Sequence, residues 1–320
     1  QIFVAGPPLG EKIGEKVTKE KLGGSQIHGP NGVVDDVAEN EKEAMIMTKK
    51  FLSYMPNSIN ELPKRKLRRD KVSRKDKFLL SVIPRNKRES YDIIPIIKSV
   101  VDKGSFFEIG RKYGLSVISG FARLNGYPVI ILANNPQVYG GGWTSSASKK
   151  IIKIIDLAQI FHFPILNFVD NPGFVIGTHA EKSATIKYGA KALAAIYQLK
   201  VPICSIILRK VFGVAGAAHM NHTKYKYRMA WPSADWGSLP FEGGIEAAYK
   251  SELNKSKDPK KLAKEIHDRL NLATSPFKTA EKFLIEDIID PRDTRKKACD
   301  WIELAFKNLK VGPSTFGFRP

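Results

Sequence analysis

Few side chains in this 320-residue sequence have the type and spacing for acid–base or metal chemistry, and two loops of small residues offer backbone groups instead. His28 lies in the glycine-rich Leu22-Gly-Gly-Ser-Gln-Ile-His28-Gly-Pro-Asn-Gly-Val-Val-Asp35, where a lone His is more often a hydrogen-bonded structural residue than a catalytic one. His219 and His222 are three apart among Asn221, Lys224, Tyr225 and Lys226, without the thiolates or carboxylates that would complete a zinc site, so no metal is expected. Gly140-Gly-Gly142 followed by Trp143-Thr-Ser-Ser-Ala-Ser148 puts glycines and hydroxyls before a helix, which suits a phosphate. The Gly-Lys-Ser/Thr of a nucleotide loop is missing from it. The two loops that remain are Gly173-Phe174-Val175-Ile176-Gly177-Thr178 and Gly213-Val214-Ala215-Gly216-Ala217-Ala218.

Both loops follow apolar runs. Ile165 to Val169 reads as a buried strand that stops at Asn171-Pro172-Gly173, because Pro removes a backbone donor and Gly permits positive φ. From Ser183 to Leu199, Ile186, Ala190, Leu193, Ala194 and Tyr197 fall at helical spacing, and Val201 to Leu208 reads as a second strand. A β-α-β unit results. Ligands of such units sit at the carboxyl ends of the strands, which brings the two loops to one edge. Upstream, a helix over Tyr91–Val101, a short strand at Phe106–Gly110, a hairpin of Leu115–Arg123 with Val129–Ala133 turning at Asn125-Gly126, and a helix over Lys149–Phe161 are expected. Downstream come helices at Ile245–Leu253, Lys260–Leu272, Phe277–Phe283 and Arg295–Leu309. Near the start, Ala5 to Leu9 reads as a loop and Glu39–Leu52 as an amphipathic helix.

An apolar content of 42% places the chain among globular proteins. No run reaches the length of a membrane span, and no secretory leader pattern opens the chain. Without an initiator Met it reads as a segment of a longer protein or a processed chain. Two cysteines, Cys204 and Cys299, exclude a disulfide framework and fit a reducing compartment. The net charge of +20 is concentrated: Lys64 to Arg88 holds twelve Lys/Arg against Asp70 and Asp76. That stretch lacks interleaved aromatic platforms, so a solvated linker is favoured over an anion-binding or partner surface, and both over nucleic acid.

Several stretches together resemble the carboxyltransferase (β) subunit of biotin-dependent acyl-CoA carboxylases, the propionyl-CoA and acetyl-CoA carboxylase family. They are Tyr91-Asp92 with Phe106-Phe-Glu108, Gly120-Phe121-Ala122-Arg123-Leu-Asn-Gly126 and Ala133-Asn134-Asn135-Pro136; Val169 to Thr178; Arg209 to Gly213 with Met229-Ala-Trp-Pro-Ser233; and Ile288 to Arg295. Leu22-Gly-Gly, His28, Gly32-Val33, Asp35 and Glu39 to Ala44 match as well.

The resemblance implies an α/β fold of the crotonase-like (ClpP/crotonase) ββα superhelix type. It divides the chain into residues 1–63, the end of an N-terminal half; 64–90, a basic linker; and 91–320, the C-terminal, biotin-side half. The implied reaction moves a carboxyl group from carboxybiotin to the α carbon of an acyl-CoA. Backbone N–H groups stabilise negative charge on the biotin ureido and thioester oxygens, so no triad or carboxylate pair is needed. The catalytic positions carried over are Gly213, Val214 and Ala215. Gly173, Phe174, Gly177, Thr178, Gly216 and Ala217 border the biotin/acyl pocket, and Phe121, Ala122, Arg123, Asn134, Asn135 and Pro136 form the acyl-CoA region. The alternative in which these glycines only relieve crowding in a β-α-β turn is retained.

Implied partners are a biotin carboxylase, a biotin carrier protein or subunit and further copies of the chain, as a hexamer; no nucleic acid or membrane is expected. The implied compartment is the cytoplasm, or the mitochondrial matrix in a eukaryote. A decarboxylase α-subunit running the transfer backwards and a non-catalytic basic binding module on the same fold are the alternatives. The family's Gly-Gly-Ala-Tyr-Asp-Val-Met is here Gly213-Val-Ala-Gly-Ala-Ala-His-Met220. Ala217 thus stands where an Asp helps select short acyl groups, and a larger acyl group is expected. The segment Gly237-Ser-Leu-Pro-Phe-Glu-Gly-Gly244 also departs from the family's pattern.

Overall fold

The apolar runs assemble into one eight-stranded sheet with helices on both faces. A computed structural model describes residues 1–67, 70–220, 226–237, 248–317 and 319. In the N-terminal part, helix α1 (Glu41–Leu52) starts at Asn40, whose Oδ1 accepts the Glu43 N–H while the Glu43 carboxylate accepts the Glu39 N–H. This reciprocal cap moves the start two residues inside the expected one. Ala5 to Leu9, read as a loop, enters a one-turn helix at Pro7–Glu11. Helix α2 (Ile94–Val100) buries Ile96, Ile97 and Val100.

Strands β1 (Phe107–Ile109), β2 (Val117–Leu124) and β3 (Tyr127–Asn134) form an antiparallel meander. Asn125 and Gly126 both have positive φ at its tight turn, as the dipeptide predicts. Helix α3 (Ser145–Ile160) is capped by Thr144, whose Oγ1 accepts the Ala147 N–H at 3.0 Å. It begins four residues before the expected Lys149 because that cap, rather than the first apolar residue, sets its start.

The β-α-β unit consists of β4 (Ile165–Asn171), α4 (Thr178–Lys182), α5 (Thr185–Tyr197) and β5 (Ile203–Phe212), and the two strands are parallel. The expected helix is α5, set off by Ala184, at φ +56, from the one-turn α4 before it; one expectation is corrected, in that Ile186 and Tyr197 face outward. The buried face of α5 is made mostly of small residues, Gly189, Ala192 and Ala195, with Thr185 and Ile196 near its ends, because the helix lies close on α3 and on the Phe174 ring. A one-turn helix, α6 (Gly213–Ala217), follows β5. Then come β6 (Lys226–Ala230), β7 (Asp235–Gly237), α7 (Pro259–Ala273), β8 (Asp287–Ile288) and α8 (Thr294–Lys307). Of the helix expected at Ile245–Leu253, the segment Lys250–Lys255 is described as helix; Asn221, His222, Lys224, Tyr225 and residues 238–247 lie outside the described residues.

Strand order is β1-β2-β3-β4-β5-β6-β8, parallel from β3 onward, with β7 pairing the end of β5. Alternation along the strands fills two cores. Leu166, Phe168, Cys204, Ile206 and Leu208 face α2 and α8, whereas Ile165 and Ile203 face α3 and α5. Strands covered on both faces read as continuous apolar runs, which is why they were visible in the sequence.

The described residues between 64 and 90 are strapped along this body. Leu79 is in the core, with Val72, Val82 and Ile83 against it. Arg74 binds Asp70 and Asp76 and donates to the Val101 carbonyl, and Arg65 stacks on Tyr127. Among the described residues no helix is long and apolar enough to cross a membrane.

Candidate functional site

The site begins with a bulge. Val169 pairs with Ile207 but Asn171 pairs with Val211, so three residues of β5 lie opposite Asp170. The Asp170 carboxylate fills the gap in the ladder: Oδ1 accepts the Lys210 N–H at 3.0 Å, and Oδ2 accepts from Tyr91 Oη at 2.9 Å and Arg209 Nε at 3.0 Å. Arg209 also donates to the Glu89 carbonyl and lies over the Tyr91 ring. Burial and the neighbouring Asp170 raise the Tyr91 hydroxyl well above its ordinary pKa, so it stays protonated and remains a donor. The bulge advances β5 past β4, and the ends of the two strands come together.

Gly173, at φ +117, makes the turn after β4, and its N–H donates to Asn171 Oδ1 at 2.9 Å. A Cβ there would stand 3.6 Å from the Phe212 carbonyl oxygen, so the first loop rests on the end of β5. Trp143 pins the loop from the other side: its N–H donates to the Gly173 carbonyl and its carbonyl accepts the Val175 N–H, each at 3.0 Å. The Phe174 ring stands edge-on to Trp143 and fills the space over Gly189. Gly177 leads into α4, of which Thr178 is the first residue.

On the second loop Gly213, at φ +62, converts strand into helix with no Cβ penalty. Gly216 is packed against Val211, whose carbonyl carbon a Cβ would meet at 2.8 Å. Val214 and Ala217 are exposed and Ala215 is buried. The first turn of a helix leaves its N–H groups without intrahelical acceptors, so Val214 and Ala215 present backbone donors at this edge.

Beneath the loops His219 is buried between two asparagines, with Nδ1 2.9 Å from the Asn167 amide and Nε2 3.0 Å from Asn171 Nδ2. Burial pushes its pKa down to about 3. The ring is therefore neutral and is no general acid or base near neutrality. Beside the first loop opens a cleft of 840 Å³, lined by Ile176 and His179 on either side of Gly177-Thr178, by Thr144 and Lys149 at the start of α3, and by Leu115 and Tyr139.

Gly173, Phe174, Gly177, Thr178, Gly213, Val214, Ala215, Gly216 and Ala217 thus gather at one sheet edge. Asn134, Asn135 and Pro136 end β3 at the same edge, where Asn134 Oδ1 accepts the Asp170 N–H and its Nδ2 donates to the Gly141 carbonyl. Asn135 Nδ2 donates to the Leu115 carbonyl at the side of the cleft.

Phe121, Ala122 and Arg123 are not brought there. Phe121 and Ala122 have no exposed surface, and Phe121 packs among Phe51, Tyr54 and Phe163. Arg123, paired with Pro128 toward the far end of the hairpin, donates to the carbonyls of Ser53, Lys64 and Gly126.

His28 hydrogen-bonds the Ile2 carbonyl and Asn31. Among the described residues no group of three or more His, Cys, Asp or Glu could hold a metal. The residues that sequence reasoning missed are Asp170 and Asn171, whose signal is a polar pair ending an apolar strand, and His219, which was weighed only as a metal ligand.

The carboxyl transferase domain family matches residues 1–316. The carboxyltransferase subunit of propionyl-CoA carboxylase from Haloferax mediterranei is 33% identical over 300 residues, 92% of this chain and 58% of that protein. The α subunit of methylmalonyl-CoA decarboxylase from Veillonella parvula is 31% identical over 324 residues, 100% of this chain and 62% of its own length. A crystal structure of the transcarboxylase 12S hexamer, with methylmalonyl-coenzyme A and methylmalonic acid bound, superposes with a TM-score of 0.91 at 30% identity, covering 99% of this chain and 62% of that one. The chain spans about three fifths of the length of these relatives. With the sequence match running through nearly every element of the fold, the chain belongs to the carboxyl transferase domain family.

Proposed function

We propose that the protein containing this chain transfers a carboxyl group between biotin and the α carbon of an acyl-CoA, on a crotonase-like ββα superhelix. The observation that carries this reading is the meeting of two loops whose contribution is backbone, at the carboxyl ends of β4 and β5. Carboxyl transfer develops charge on two carbonyl-type oxygens, and preorganised N–H donors stabilise such charge more in the transition state than in the ground state.

Val214 and Ala215 supply the donors on the biotin side, and Gly213 gives the backbone the turn that points them outward. Gly173, Phe174, Gly177, Thr178, Gly216 and Ala217 border the pocket. Biotin, carried on a partner domain or subunit, supplies the carboxyl group and, once freed, the nitrogen that takes the α-proton. The neutral His219 leaves that proton to the substrates themselves. Ala217, exposed at the end of α6, leaves room for an acyl group larger than propionyl.

The partners in this reading are a biotin carboxylase, a biotin carrier and further copies of the chain, assembled as in the hexameric 12S relative. The decarboxylase relative, matched over the whole chain, keeps the reverse direction as a second reading, since one site serves both directions. The test is carboxyl transfer by the full-length protein from a carboxylated carrier to a panel of acyl-CoAs, with and without avidin. Avidin-sensitive transfer is expected, and its absence with every acyl-CoA and in both directions would end the reading.

A further inference from the structure

The two loops are joined from below by a histidine to which the transfer assigns no proton. His219 lies two residues beyond the end of α6 and is buried, with its ring edge-on to Trp143 at 5.3 Å between centroids. Its hydrogen-bonding state follows from counting donors. Asn171 cannot turn its amide over without losing the Gly173 N–H, which its Oδ1 accepts at 2.9 Å. Asn171 Nδ2, 3.0 Å from His219 Nε2, is therefore the donor, and Nε2 is the acceptor. A neutral imidazole then carries its proton on Nδ1. Asn167 completes the chain with its amide turned so that Oδ1 takes the place of Nδ2, 2.9 Å from His219 Nδ1 and 3.3 Å from Ser205 Oγ, accepting from both. The donors and acceptors that face one another along the row are then matched: Ser205 and His219 donate to Asn167, Asn171 donates to His219, and Gly173 donates to Asn171.

We propose that His219 is a positioning residue for carboxyl transfer: as the neutral Nδ1–H tautomer it locks the Gly173 turn, through Asn171, to the segment that follows Gly213–Ala217. The two loops then keep one spacing while charge develops between them. This inference rests on the carboxyl-transfer reading above. A second proton on the ring would set an N–H against Asn171 Nδ2, so the lock needs the neutral form.

A glutamine amide, with one donor end and one acceptor end, can replace the ring in this row, whereas a methionine side chain supplies neither. The test compares the full-length wild-type protein with His219→Gln and His219→Met. It measures kcat and KM for the acyl-CoA that the wild type accepts best, and hydrogen–deuterium exchange of the peptide containing Gly173. We expect His219→Met to lower kcat by about ten-fold or more with KM within about two-fold, and to speed exchange at Gly173. His219→Gln restores both readouts to within about three-fold and leaves the pH profile of kcat unchanged.

A His219→Met protein with wild-type kcat, whatever its exchange, would overturn the positioning role, as would a His219→Gln protein as impaired as His219→Met. If the wild type itself transfers no carboxyl group, the functional reading fails and the positioning role fails with it. The exchange comparison then still decides whether His219 holds the Gly173 turn.

Discussion

The Arg209 guanidinium meets the Asp170 carboxylate at 3.0 Å in a place where the two side chains are 3% and 0% exposed. A buried charge pair of this kind stabilises little by itself, but removing one member leaves the other uncompensated. Asp170 also holds Tyr91 and the Lys210 N–H, so it fixes how far β5 runs beyond β4. Replacing Asp170 by Ala should cost roughly 3–5 kcal/mol of unfolding free energy in a denaturant titration. A loss below about 1 kcal/mol would show that the bulge does not depend on the carboxylate.

The burial of His219 makes a prediction about acid. Its pKa is about 3 in the folded chain against an ordinary 6.5, so between those values the unfolded state binds a proton that the folded state does not. Stability therefore falls as pH is lowered through this window. The wild type should lose roughly 2–3 kcal/mol relative to His219→Gln between pH 7 and pH 4. A constant difference between the two proteins across that range would mean that the histidine is not held neutral.

Lys150 predicts a change of the same sign at high pH. It is almost fully buried, donating to the carbonyls of Gly110 and Val117, and burial pulls its pKa down to about 8. Between pH 8 and 10.5 the unfolded chain holds the extra proton, so stability from this group rises with pH. The stability of the wild type relative to Lys150→Met should increase by roughly 1–3 kcal/mol from pH 8 to pH 10. A flat difference contradicts the assignment.

Ala217 carries the prediction about substrate size. Introducing Asp at this exposed position should shift the ratio of kcat/KM toward propionyl-CoA and away from longer acyl-CoAs, by about ten-fold in a competition assay. An unchanged ratio would remove Ala217 from the determinants of chain length.

Much of this arrangement could be read from residue order. Ile165 to Val169 and Val201 to Leu208 declare themselves as strands because both faces are covered, and Asn171-Pro172-Gly173 announces where the first must stop. The hairpin turn was legible because Asn125-Gly126 suits positive φ at both positions. The inward face of α5 was not, because small residues packed against α3 and Phe174 leave Ile186 outside, and periodicity weighs large apolar residues most. Charge shows only part of Lys64 to Arg88: its described basic residues other than Arg74 are exposed, but Leu79 is in the core, and Arg74 is neutralised by Asp70 and Asp76 from the same stretch.

The site divides in the same way. Gly173, Gly177 and Gly213 could be singled out because backbone conformation demands their residue type. Motif position alone had to place Phe121 and Arg123, and it cannot distinguish a ligand contact from an aromatic core or a row of backbone carbonyls. The Asp170 and His219 networks join residues tens of positions apart, and only tertiary structure brings them together.

The central claim is that backbone N–H groups at the start of α6 carry the transfer, and Val214→Pro tests it most directly. Proline is tolerated in the first turn of a helix, where it removes an N–H that no intrahelical acceptor uses, and Gly213 before it has no Cβ to meet the ring. The measurement is kcat for carboxyl transfer by the full-length Val214→Pro protein, with its fold checked by thermal unfolding. A folded variant whose kcat falls about 10²- to 10³-fold is the predicted result; a folded variant that keeps kcat within about three-fold of the wild type would contradict the account.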